Sequence, residues 1–143
     1  MHALSSRIAD DAVPQNMTLV RMYGGYGVYD TDRWEHIAEV YFFNDGDLDG
    51  NTGSHRSKAG FLQLGYRAAW GVPYARYERT SLDQSDNYFS AQASGFSYYR
   101  SAIGLRYDID LKSALKFELA HTNITDRAID QVTEILAQYA IRF

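Results

Sequence analysis

The sequence predicts an all-β chain: an antiparallel up-and-down meander of about seven to eight strands, forming a transmembrane β-barrel or the C-terminal part of a larger one. Three observations carry this reading. In the run Ile135, Ala137, Tyr139, Ile141, Phe143 every second side chain is apolar, with Glu134, Gln138 and Arg142 between; a period of two with separated faces marks a strand with one wet and one greasy side. Strand-like segments are joined by connections that alternate between long and short, the pattern of a barrel with tight turns at one end and long loops at the other. Aromatic residues form 15% of the chain, with twelve Tyr against two Pro, which suits both β-sheets and membrane-interface girdles.

Taken in chain order, residues 2–8 are expected to form a short strand and 9–16 an outer loop. At 18–29 a strand is expected to contain the run Tyr23-Gly24-Gly25-Tyr26-Gly27, too rich in Gly to fix a register by itself. After the turn 30–33, a strand over 34–43 puts Glu39, Tyr41 and Phe43 on one face, and 44–58 reads as a long loop. The strand at 61–68 sets Leu62, Leu64 and Tyr66 against Gln63, Gly65 and Arg67; the short turn 69–71 leads to a strand at 74–80 with Tyr74, Arg76 and Glu78 on one side. A loop rich in Ser, Asn, Asp and Gln covers 82–95. Next, 99–109 alternates Tyr99, Ile103, Leu105 and Tyr107 with Arg100, Gly104, Arg106 and Asp108, and the tight turn 110–112 follows. The strand 114–122 opposes Leu115, Phe117 and Leu119 to Lys116, Glu118 and Thr122, and a polar loop at 123–131 precedes the last strand, 132–143.

The 143 residues read as one domain, 1–143. There is no run of 18 apolar residues, hence no transmembrane helix; negative mean hydropathy is compatible with barrel strands, whose lipid-facing residues come only at alternate positions. A net charge of −4 argues against nucleic acid as a partner. Cys is absent, which removes disulfides and thiolate metal sites, and no cofactor is expected. The first eleven residues have neither the basic nor the apolar stretch of a secretory signal, and seven clear strands is an odd count; both lead to the expectation that the chain is the C-terminal portion of a larger barrel.

If the apolar face of the last strand meets lipid, parity turns Arg142 and Glu134 inward together with Lys116, Glu118, Arg100, Arg106, Asp108, Arg67, Arg76 and Glu78. In a large barrel these residues line a pore; in a narrow one they form a paired polar network that fills the interior. Their excess of arginine over carboxylate would favour anions. The stretch Asp45-Gly46-Asp47-Leu48-Asp49-Gly50 has the spacing that opens a calcium loop, but its twelfth position is Arg56 rather than Glu. A solvated acidic loop is therefore the main reading and calcium held by Asp45, Asp47 and Asp49 the lesser one. Catalysis is not expected: the four His show no metal-ligand spacing, and no Gly-x-Ser-x-Gly elbow occurs.

The segments Tyr29-Asp30 through Trp34, Ala38-Glu39-Val40-Tyr41, Gly65-Tyr66-Arg67, Trp70-Gly71-Val72-Pro73-Tyr74-Ala75-Arg76-Tyr77-Glu78, Gly104-Leu105-Arg106-Tyr107-Asp108 and Ala114-Leu115-Lys116-Phe117-Glu118 resemble, in this order, the C-terminal third to half of Gram-negative porin-like outer-membrane proteins. The resemblance covers about 26–143 and is one of style rather than of a diagnostic motif. It implies residence in the outer membrane, contact with its lipid, passive diffusion of small hydrophilic solutes and self-association. It also implies that Tyr139, Ile141 and the final aromatic Phe143 act as a signal for the barrel-assembly machinery. The alternative is a soluble up-and-down barrel of lipocalin type, which inverts the same side chains so that the apolar face lines a ligand cavity.

Overall fold

In the computed structural model the described residues are 1–9, 17–49, 52–90, 95–125 and 131–142. They form eight strands: β1 (His2–Ala9), β2 (Met17–Asp30), β3 (Trp34–Asp47), β4 (Ser54–Tyr66), β5 (Val72–Ser81), β6 (Tyr98–Asp108), β7 (Ser113–Ile124) and β8 (Gln131–Ile141), with one short helix, α1 (Asn87–Ser90), between β5 and β6. The strands lie side by side in sequence order in a single antiparallel sheet, with β1 and β8 as its two edges, so the sheet is open. The predicted meander is present, and the short N-terminal segment supplies the eighth strand.

Each adjacent pair keeps a single register along its length, without a bulge; between β2 and β3 the pairing pauses at Val20 and Arg21 and resumes in the same register. Because successive side chains alternate sides, one uninterrupted register sorts every strand into the same two faces. Leu62 of β4 stands opposite Tyr77 of β5, and Ile103 of β6 opposite Leu119 of β7, which in turn faces Ile135 of β8. On the other face, Gln63 stands opposite Arg76, and Glu118 lies between Gly104 and Leu136. The Gly-rich part of β2 keeps the common register too, with the Tyr41 ring lying over Gly24.

Connections alternate as expected, but one loop is shorter than the sequence suggested. β3 continues to Asp47 and β4 begins at Ser54, with Asp45 paired to His55 and Gly46 to Ser54, so the expected loop 44–58 shrinks to 48–53. The reason is that backbone pairing needs no apolar alternation, and these added rungs are polar. Residues 10–16, 50–51, 91–94 and 126–130 of the expected loops lie outside the described residues.

The tight turns have local chemistry that accounts for them. At 110–113 the Asp110 carboxylate accepts from the amides of Lys112 and Ser113, both at 2.7 Å, an Asx turn that holds its carboxyl below the usual range. At 68–71 the chain reverses between the paired Ala68 and Gly71, and Gly71 sits at φ 144°, where a Cβ would also press on the Arg106 carbonyl.

The sheet curls toward its charged face. Arg106 of β6 forms a two-pronged ion pair with Glu35 of β3, 2.9 Å in each arm, across the intervening β4 and β5. A flat sheet would separate those strands by about 14 Å at ~4.8 Å per strand, so the contact reports a concave surface. What is buried follows from this: the buried side chains include Glu35, Asp45, His55, Asp86 and Glu118 alongside Val20, Val72, Tyr74, Phe89, Ala102 and Ala120. The convex face carries most of the exposed apolar residues, among them Val40, Phe42, Leu62, Ile103, Phe117 and Ile135, whereas Leu4, Tyr26, Val28 and Leu136 are exposed on the other face. On β3 this apolar run ends at Phe42. Beyond it Asn44 faces outward, and the rungs from Asn44 upward project past the apolar band toward the long loops.

Candidate functional site

Two ion-pair networks cover the concave face. Near the short turns, Glu35 is the hub: its carboxylate receives Arg106 from β6 and Arg67 from the end of β4, the latter at 2.6 Å. Arg67 also reaches Asp30 at 2.7 Å and the Thr31 carbonyl, and Arg106 reaches Asp108 at 3.0 Å. Midway up the sheet, Glu118 of β7 is the second hub. It accepts from the Tyr74 hydroxyl at 2.8 Å and from Arg76 at 2.6 Å, with Arg100 and Lys116 each at 3.6 Å. Arg76 turns its other edge to Glu78 at 2.7 Å, Arg100 bridges to Glu134 at 3.1 Å, and the Lys116 ammonium stands 4.9 Å from the Tyr74 ring centroid.

A buried carboxylate such as Glu118 persists because several donors surround it; losing them would leave a charge in a poorly solvated site. The backbone makes room for this hub at Gly104, opposite Glu118 in the ladder. A Cβ there would fall on the Tyr74 ring. Gly104→Val is accordingly expected to displace Tyr74 from Glu118 and to cost about 1–3 kcal/mol, read as a lower thermal midpoint of the folded protein. A midpoint equal to that of the native chain would show that the ring moves freely.

All the predicted lining residues of the strands, Arg76, Glu78, Arg100, Arg106, Asp108, Lys116, Glu118 and Glu134, share this face by ladder position, and Arg67 joins it through its contacts. Arg142 follows β8 with its side chain exposed and belongs to neither network. Tyr139 and Ile141 are exposed on the opposite, apolar face. Phe143 lies outside the described residues.

Sequence reasoning missed the hub Glu35, its neighbour Asp30 and the inward Glu39, whose carboxylate accepts from the Tyr41 hydroxyl. The alternation of β3 is masked there by aromatics on both faces, so parity alone gave no signal. These carboxylates remove the expected arginine excess, and the face presents paired charges of both signs rather than a ring of one.

At the long-loop end the acidic stretch does not converge on a point. Asp47 accepts from the Thr52 amide at 2.7 Å and from the Asp49 amide at 2.9 Å, Asp49 accepts from the Met17 amide, and Asp45 points into the sheet toward Asp86. Gly50 and Asn51 lie outside the described residues; among those described, no group of three or more His, Asp or Glu is arranged to hold a metal ion. Instead residues 82–90 fold over the concave face here. His55 of β4 contacts Asp83 at 3.1 Å, Ser57 accepts from the Asp83 amide at 2.9 Å, and the Phe89 ring meets Phe43 edge-on at 5.2 Å. Hydrogen bonds from Ser85 and contact with His55 keep the Asp83 carboxyl below its usual range. Beneath this segment lies a recess of about 500 Å³ lined by Phe43, Phe89, Phe96, Tyr98, Arg100 and Glu134.

Chemically, the concave face offers fixed, mutually compensated charges and an aromatic-edged recess. No protein-family model, no curated protein and no solved structure matches this chain.

Proposed function

We propose that the chain forms wall of a porin-like outer-membrane β-barrel whose concave, charged face borders a water-filled path for small hydrophilic solutes. The observation that carries the reading is the assignment of faces. Ile135, Ile103, Leu62 and Phe117 are 83, 63, 56 and 51% exposed on the convex side, while the charged hubs lie inside. A soluble barrel with a ligand cavity would place these apolar residues inward, and a contiguous apolar surface of this kind in water is an aggregation liability.

The aromatic residues support the same reading. Along β3, Trp34 and Phe42 bracket the outward apolar run, and along β6 Tyr107 and Tyr99 do so. Eight residues of strand span about 27 Å at ~3.4 Å each, and with a tilt of about 40° they rise about 21 Å, close to the roughly 25 Å apolar band edged by aromatic girdles. Tyr29, Tyr66 and Trp70 add to the girdle at the short-turn end, each more than a third exposed. Backbone edges in lipid need partners, so the open edges β1 and β8 are completed by further strand pairing in the membrane.

Reconstitution tests this. Protein refolded into lipid vesicles and fused with a planar bilayer is expected to give discrete conductance steps with little preference between anions and cations, since the lining charges are paired. Insertion without conductance would overturn the pore and leave the wall. Monodisperse behaviour in detergent-free buffer would overturn both.

A further inference from the structure

The Asp45 and Asp86 carboxyls interact side chain to side chain at the long-loop end of the concave face. Both side chains are buried, each residue 1% exposed, and on each the Oδ2 atom has no hydrogen-bond donor among the described residues. Their other oxygens are occupied: Oδ1 of Asp45 accepts from the Arg21 amide at 3.3 Å, and Oδ1 of Asp86 accepts from the Tyr88 amide at 2.9 Å. Two carboxylates cannot bury facing oxygens while both are ionised, because like charges at this separation repel and neither is solvated. A single proton shared by the two carboxyls makes one a donor and the other an acceptor.

We propose that Asp45 and Asp86 form a proton-sharing latch that holds residues 82–90 against the concave face, and that deprotonation of the pair frees this segment. The geometry fits a latch because the two acids sit on different parts of the fold. Asp45 is fixed in β3 by the ladder, whereas Asp86 opens α1, accepting the Ser90 amide on its carbonyl at 2.9 Å. Among the described residues the charged and titratable groups facing the pair are few. From β4, His55 contacts Asp83 and Thr52; from the segment itself come Asp83 and the backbone of Tyr88; from β2, only the Arg21 amide is directed at it. Asp47, on the same face of β3, is engaged by Thr52.

The direction of the response follows from the burial. Desolvation, then the neighbouring Asp86, raises the Asp45 carboxyl to about 7. The docked segment thus binds the proton more tightly than the freed one. Docking is strongest in acid, weakens as pH rises from about 4, the range of a free aspartate, toward 7, and changes no further above that. Across this window the opening equilibrium is expected to rise by up to about tenfold per pH unit. In the channel reading given above, opening would widen the mouth over the recess; the latch itself stands apart from that reading and is tested without conductance.

The chain has no cysteine, so a single introduced thiol reports opening. Ser57→Cys places one beneath the segment and Ser90→Cys places one on its exposed surface. The measurement is the rate of reaction with a small disulfide reagent from pH 4 to 8 in detergent micelles, as the ratio of buried to exposed site, which cancels the thiol's own titration. The ratio is expected to rise steeply to about pH 7 and then level. Asp86→Asn, in which the amide donates to Asp45 at every pH, should flatten the profile, and His55→Gln should leave its slope in place. A ratio that does not change with pH, or a slope that survives Asp86→Asn and vanishes with His55→Gln, would overturn the latch.

Discussion

Ile103→Arg is expected to destabilise the lipid-embedded protein by about 2–4 kcal/mol, the range for a cation at the middle of a barrel's lipid face. Ile103 is 63% exposed and stands between Ala75 and Leu119 on the convex side. An exposed position in water would tolerate the same change within about 0.5 kcal/mol, so the cost separates a membrane surface from a solvated one. Tyr99→Arg, on the same strand but at the upper border, should cost only about 0–1 kcal/mol, since the penalty falls off toward the interface. Urea titration of vesicle-inserted protein measures both. Equal costs at the two positions, or none at Ile103, would remove lipid from this face.

The second large effect concerns the interior. Glu118→Gln keeps the shape of the hub and removes its charge, leaving Arg76 and Arg100 facing a neutral amide in a partly dry site. Breaking a buried ion pair from one side costs about 3–5 kcal/mol; the lower end applies here because Arg76 retains Glu78 and Arg100 retains Glu134. The double change Glu118→Leu with Arg76→Met should recover much of the loss, as apolar replacement of a whole buried pair is often neutral. Thermal midpoints of the single and double variants decide the matter. A single variant as stable as the native chain would mean that water reaches the hub freely.

The faces of the strands were legible in the sequence wherever lipid-side and water-side residues differ sharply, as along Leu115 to Leu119 and Ile135 to Ile141. Period-two alternation is a local signal, and one strand suffices to read it. The extent of β3 and β4 was not legible, because their upper rungs, Asp45 with His55 and Gly46 with Ser54, are polar and carry no apolar alternation. Glu35 was hidden for a different reason: its partner Arg106 lies 71 residues away, and only the curl of the sheet brings them together. The Asp45–Asp86 contact had no local signature either. The carboxylates near Asp45 in sequence suggested calcium, whereas the one that meets it comes from a loop two strands later.

The uninterrupted register also sets which changes of length the chain can absorb. With no bulge anywhere in the ladder, a strand has no built-in slack, so inserting one residue within β6 below Arg100 would turn Arg100 toward the lipid side and Ile103 stays put, breaking the pairing of the two halves. Insertions and deletions are therefore confined to the long-loop end, and the strands behave like a reading frame in which only paired compensating changes restore sense.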